Sequence, residues 1–115
     1  MKPYHFVIHF ILAIVLLFVM PIYAWSAVHD SPDITRQQYL LNLLLQDCGS
    51  CHGMTLHGGL GPALLPENIQ DKSANSLQTA ILEGRPGTPM PPWKSELTVT
   101  DAEWIVAQLR MGIKQ

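Results

Sequence analysis

The sequence predicts an all-α chain, and three observations carry that prediction. Three segments repeat apolar residues at the helical interval and open on capping chemistry, and the stretches between them are crowded with glycine and proline. No segment alternates as a strand does, and no internal repeat is visible. The chain has 115 residues, enough for one domain with one core, and its formal net charge of -2 offers no basic patch for nucleic acid.

The N-terminus reads as a leader. Lys2 precedes an apolar run from Phe10 to Val19, which falls short of the ~20 residues a bilayer span needs and is followed by Pro21. That layout predicts a secretory signal peptide over residues 1–26, with Ala24 and Ser26 as the small residues ahead of the cut. Cleavage after Ala24 or Ala27 fits as well, and an uncleaved membrane anchor is the alternative. In either case residues 27–115 form an exported domain.

A polar link, Val28-His29-Asp30, leads to the first helix. Ser31 is placed to cap it, Pro32 suits its first position and Asp33 favours the positive end of its dipole. Ile34, Leu41, Leu44, Leu45 and Cys48 fall on one face, widened by Leu40 and Leu43. Gly49 and Gly53 interrupt the helical signal, and residues 53–69 read as loop. In a domain this small, a loop of that length needs something to wrap around.

The second helix is predicted over Ala74 to Glu83, capped by Ser73 and stopped by Gly84, with Leu77, Ala80 and Ile81 facing inward. From Arg85 to Trp93 three prolines, Pro89, Pro91 and Pro92, crowd around Met90, so neither helix nor central strand can form. The last helix is predicted to open on a capping box, Thr100-Asp101-Ala102-Glu103. Trp104, Ala107 and Met111 make one of its seams, and Ile105 with Leu109 the next.

The chemistry concentrates in Cys48-Gly49-Ser50-Cys51-His52. Two residues between the thiols let one helical turn set both sulfurs against one edge of a porphyrin, and the following imidazole can reach its iron. The pentapeptide therefore reads as a covalent haem attachment site. A disulfide between such close cysteines constrains almost no chain entropy. A thioredoxin-like pair wants a strand-helix-strand context, and a zinc site wants further ligands beyond His57. Haem also supplies the centre that a core this small lacks.

Met54 follows His52 too closely to reach the far side of a ring bound to it. Met90, held in a stiff loop beyond a helix, is the favoured sixth ligand. Met111, His29 and His57 stand as alternatives, and a packing role for Met90 leaves the sixth position open or filled by histidine. A thioether stabilises ferrous iron, and with both axial positions filled only an electron can move. A ligating imidazole commonly donates its second N–H to a carbonyl, and the Gly61-Pro62 loop is a candidate to supply it. Trp93 and Trp104 suit the core better than an electron relay.

Taken together, Cys48-Gly49-Ser50-Cys51-His52-Gly53, Gly61-Pro62, and Met90-Pro91 after a helix resemble the class I c-type cytochromes. The resemblance covers nearly all of residues 27–115. It implies a helical shell around one covalently bound haem, with the first and last helices crossing. It implies thioethers at Cys48 and Cys51, axial ligands His52 and Met90, and the Pro62 carbonyl as acceptor for His52. The first helix departs from the pattern in lacking the glycine and aromatic pair that many members use where the terminal helices meet.

Gly58-Gly59-Leu60-Gly61-Pro62-Ala63-Leu64 and Gly84-Arg85-Pro86-Gly87-Thr88-Pro89-Met90-Pro91-Pro92-Trp93 are further similar to the cytochrome c-55X proteins encoded beside the haem-d1 nitrite reductase of denitrifying bacteria. That likeness implies a periplasmic monohaem electron carrier serving the nitrite reductase, not an enzyme. Its alternative is an accessory role in haem-d1 biosynthesis or reductase maturation. A pentacoordinate haem protein binding a small ligand, or acting as a peroxidase, is a further rival. The mild acidity predicts weak, salt-sensitive steering toward a redox partner.

Overall fold

A computed structural model describes residues 31–113 together with Tyr4, Ile8, His9 and Ile11. The predicted leader over residues 1–26 and its cleavage site otherwise lie outside the described residues, as does His29. All regular structure among the described residues of the domain is helical. In order it comprises α1 (Ile34–Leu43), a π-helical turn (Leu44–Cys48), α2 (Gly49–His52), α3 (Pro66–Ile69), α4 (Ala74–Glu83) and α5 (Val99–Met111). Among the described residues no helix is long and apolar enough to cross a membrane.

α1 begins later than its sequence suggests. Asp33, not Ser31, is the N-cap: its side chain accepts the amide of Arg36 at 2.9 Å. Asp serves as well as Ser in this role, and the capping residue sits where the backbone is still extended. Pro32 lies outside the helix, where its carbonyl accepts Gln37 Nε2 at 2.7 Å. The inward stripe is also rotated from the predicted one. Ile34 is 70% exposed, whereas Leu40, Leu43 and Leu44 are buried.

Gly49 does not break the helix. Its amide donates to the Leu44 carbonyl five residues back, so the chain passes through one wide turn and continues as α2 to His52. The extra residue in that turn rotates α2 by about one residue's helical angle, ~100°. Cys48 is thereby packed against the core and His52 buried, although they follow a run of four leucines in five positions.

α4 has the bounds and caps expected from sequence, with Ser73 Oγ accepting the Ser76 amide at 3.1 Å and Gly84 ending the helix. α5 opens two residues earlier than the expected box. Thr98 is the N-cap and Asp101 closes the box, each side chain accepting the other residue's amide. Thr98-x-x-Asp101 outcompetes Thr100-x-x-Glu103 because Asp101 is also held by Arg36, from Nε at 3.1 Å and Nη2 at 2.9 Å. The core side of α5 is Ala102, Ile105, Val106 and Leu109; Ala107 and Met111 are exposed, and Trp104 is half-buried. The expected Trp104-Ala107-Met111 seam is therefore not a core seam.

The core joins Leu40, Leu43 and Leu44 to Leu56, Ile69, Leu97, Ile105 and Leu109, with Trp93 and Trp104 packed at its margin. α5 packs against α4, α3 and α1. Where α1 meets α5, the two-pronged ion pair of Arg36 with Asp101 stands at the contact, and the Arg36 guanidinium also lies 4.7 Å from the Tyr39 ring centroid. The glycine and aromatic pair missing from the sequence is thus answered by a charged clamp.

Candidate haem attachment site

Cys48, closing the π-helical turn, and Cys51 in α2 stand about one turn apart, both free thiols and both half-buried. Burial pushes the Cys48 thiol up to about 11, and the nearby Asp47 carboxylate adds to the effect. Ser50 Oγ donates to the Asp47 carbonyl at 2.6 Å, turning its hydroxyl back onto the helix.

A helix that stops at His52 leaves its last carbonyls without partners. The following loop supplies them: Gly58 N donates to the His52 carbonyl at 2.7 Å, and Gly61 N to the Cys51 carbonyl at 2.8 Å. These bonds draw the glycine-rich segment directly under the imidazole. A Cβ on Gly61 would stand 2.7 Å from His52 Cε1 and Nδ1, so only glycine fits there without displacing the ring. Beyond it, His52 Nδ1 donates to the Pro62 carbonyl at 2.7 Å. A carbonyl can only accept, so this bond puts the hydrogen on Nδ1 and leaves the Nε2 lone pair for a metal. His52 is 8% exposed.

Met90 lies half-buried on the loop after α4. That loop is fastened at both ends. Trp93 N donates to the Ile81 carbonyl and Lys94 N to the Leu82 carbonyl, each at 3.1 Å, which satisfies the end of α4. At the other end Arg85 N donates to the Met90 carbonyl at 3.2 Å. Of the other residues considered for the sixth position, Met111 is 69% exposed, and His57 is exposed with Nδ1 turned to its own loop at Thr55. Among the described residues no group of three or more His, Cys, Asp and Glu is placed to hold a metal ion, so the pentapeptide gains no partners for a zinc site.

The donor set suits a covalently held haem. Two thiols on one turn can form thioethers, and an imidazole with Nε2 available and Nδ1 anchored can bind iron. The glycine cradle around His52 is the part that residue-type reasoning missed. Its signal in the sequence is the spacing of Gly58, Gly59 and Gly61, which reads as turn chemistry until the ring is seen against Gly61.

Known proteins resemble this chain in sequence and in fold. Residues 40–109 match the family described as cytochrome c oxidase, cbb3-type, subunit III. A cytochrome c55X of Pseudomonas aeruginosa is 52% identical over 101 residues, spanning 88% of this chain and 83% of that protein. A solved c-type cytochrome NirC superposes with a TM-score of 0.69 at 56% identity, over 70% of this chain and 94% of that one. A dihydro-heme d1 dehydrogenase of Pseudomonas aeruginosa is 39% identical over 67 residues, which span 58% of this chain but 14% of that protein. The family match extends over more than half the sequence, and the likeness to cytochrome c55X runs along most of both chains. On its helical fold and its Cys48–His52 turn, the chain belongs to the class I c-type cytochromes, among the cytochromes c55X.

Proposed function

We propose that the chain is an exported, periplasmic monohaem cytochrome that carries single electrons to haem-d1 nitrite reductase in denitrification. In this reading Cys48 and Cys51 hold the haem by thioether bonds, His52 is the proximal ligand and Met90 the distal one. The haem, when bound, supplies a one-electron iron couple. The observation that carries the reading is the bond from His52 Nδ1 to the Pro62 carbonyl, which sets the tautomer and orients the ring. The loop around Met90 presents a soft thioether from a segment that cannot become helix. With both axial positions taken by side chains, no substrate reaches the metal, and the chain acts as a carrier.

The reductase as acceptor rests on the names of relatives: cytochrome c55X and NirC for the whole domain. The likeness to a dihydro-heme d1 dehydrogenase favours a second reading, an accessory role in making or loading haem d1. One experiment separates them. Reduced holoprotein is mixed anaerobically with haem-d1 nitrite reductase, and oxidation of the c haem is followed by stopped-flow absorbance. Fast oxidation that slows with salt and sustains nitrite turnover supports the carrier. Failure to transfer, in protein that still exchanges electrons with small mediators, rules out the reductase as direct acceptor and favours the accessory role.

A further inference from the structure

The segment after Gly84 holds Met90 with very few backbone hydrogen bonds, because Pro89, Pro91 and Pro92 have no N–H to give. Between Thr88 and Trp93 the Met90 amide is the sole backbone donor. It goes to a side chain: Met90 N donates to Thr88 Oγ1 at 3.3 Å. The same hydroxyl donates to the Arg85 carbonyl at 2.7 Å, and the Thr88 amide donates to that carbonyl at 3.0 Å. The Arg85 amide in turn donates to the Met90 carbonyl. Both backbone groups of Met90 are thus tied to a turn running from Arg85 to Thr88, and one of the two ties is the Thr88 hydroxyl.

We propose that Thr88 is a positioning residue for Met90, its hydroxyl bridging the Arg85 carbonyl and the Met90 amide so that the thioether stays on the iron against competing ligands. The proposal rests on the reading of Met90 as distal ligand. The other tie, from the Arg85 amide to the Met90 carbonyl, leaves the Met90 amide to the hydroxyl alone. Gly87, at φ 78°, has nothing within 4 Å of the position a Cβ would take, so the turn is not wedged in place by packing there. Serine preserves the bridging hydroxyl, and valine removes it at nearly constant shape.

The test is a titration of ferric holoprotein with imidazole, following loss of the long-wavelength sulfur-to-iron charge-transfer band. Thr88→Val is expected to bind imidazole roughly fivefold more tightly than wild type, the factor that goes with one neutral hydrogen bond, and Thr88→Ser to stay within about twofold. Unchanged imidazole affinity in Thr88→Val, with the band present, overturns the positioning role and leaves Met90 as ligand. A lowered thermal midpoint with unchanged imidazole affinity also overturns it, because the residue then serves only the fold. A wild-type protein without the band, or Met90→Ala retaining it, removes the reading of Met90 and the proposal with it.

Discussion

Arg36 on α1 and Asp101 on α5 stand 65 positions apart in sequence and meet in a two-pronged ion pair, with Nη2 to Oδ2 at 2.9 Å. Asp101 is 3% exposed, and its carboxylate also accepts the amide and hydroxyl of Thr98, so one buried side chain both caps α5 and receives α1. Arg36 reaches further, from Nη2 to the Glu96 carbonyl at 2.8 Å. The crossing of the terminal helices is therefore specified partly by charge.

Removing Arg36 leaves a buried carboxylate with only the Thr98 partners. A fully buried pair broken in this way costs about 3–5 kcal/mol, but the Arg36 side chain keeps 33% of its surface exposed, and solvent screens part of the interaction. Arg36→Ala is expected to lose about 1–2 kcal/mol in denaturant unfolding of the holoprotein. A loss below a few tenths of a kcal/mol would show that the clamp contributes nothing to the crossing.

The same pair sets an acid limit. The hydrogen bonds from Arg36 hold the Asp101 carboxyl down to about 2 against the cost of its burial, with Thr98 adding to the effect. A carboxyl whose folded value is lowered stabilises the fold above its unfolded value and loses that contribution as pH falls through the folded one. About 2 kcal/mol of stability should disappear between about pH 4 and pH 2. Thermal unfolding of wild type and Asp101→Asn across that interval checks this: the stability difference between them should shrink as the pH drops.

How far the fold could be read in advance depended on whether its determinants were local. Ser73 and Gly84 mark α4 with side-chain and backbone chemistry inside a single turn, and both ends fell where predicted. The start of α5 did not, because Thr98 and Thr100 each have an acidic residue three places on, and only the distant Arg36 decides between them. The π-helical turn at Leu44–Cys48 has no distinctive local residue. It reconciles a leucine stripe with a buried His52, and that is a property of the assembled core. At the site the bond from His52 to the Pro62 carbonyl lies in the Gly61-Pro62 loop, where an acceptor was expected because a ligating imidazole commonly donates its second N–H. The contact of Gly61 with the ring was not legible, because the same glycine satisfies an ordinary turn.

That contact yields its own prediction. Alanine at Gly61 puts a methyl 2.7 Å from two atoms of the His52 ring, and the ring is anchored on the Pro62 carbonyl. Overpacking of this kind costs about 1–3 kcal/mol. Gly61→Ala should lower stability by about 2 kcal/mol and shift the midpoint potential, whereas Pro62→Ala keeps a carbonyl in place and should cost less than half as much. Equal effects of the two substitutions would mean that proline stiffness, and not room for the ring, is what the loop provides.

Met90 is open to a direct electronic test. In the proposed ligation, replacing the Met90 thioether by imidazole exchanges a ligand that favours ferrous iron for one that favours ferric. Met90→His should lower the midpoint potential by on the order of 0.1–0.3 V, a fraction of the ~0.8 V that axial ligation spans among haem proteins. Redox potentiometry of the two holoproteins measures it, and an unchanged potential would remove Met90 from the iron.

Gly84 links α4 to the Met90 loop by geometry alone. At φ 68° and ψ -167° it occupies a region that residues with a Cβ avoid, and a Cβ there would lie 2.7 Å from the Met90 carbonyl oxygen and from the carbonyl carbon of Pro91. Backbone strain of this sort costs about 1–3 kcal/mol, and relief must come from moving either the end of α4 or the segment carrying Met90. The end of α4 is held by Trp93 and Lys94 returning to the Ile81 and Leu82 carbonyls and by the Lys94–Glu83 ion pair, whereas the segment from Arg85 to Pro92 is largely exposed. The segment carrying Met90 should therefore yield first. Gly84→Ala is expected to weaken the sulfur-to-iron charge-transfer band at temperatures where the far-ultraviolet helical signal is intact. Loss of both signals together would place the strain in α4 instead.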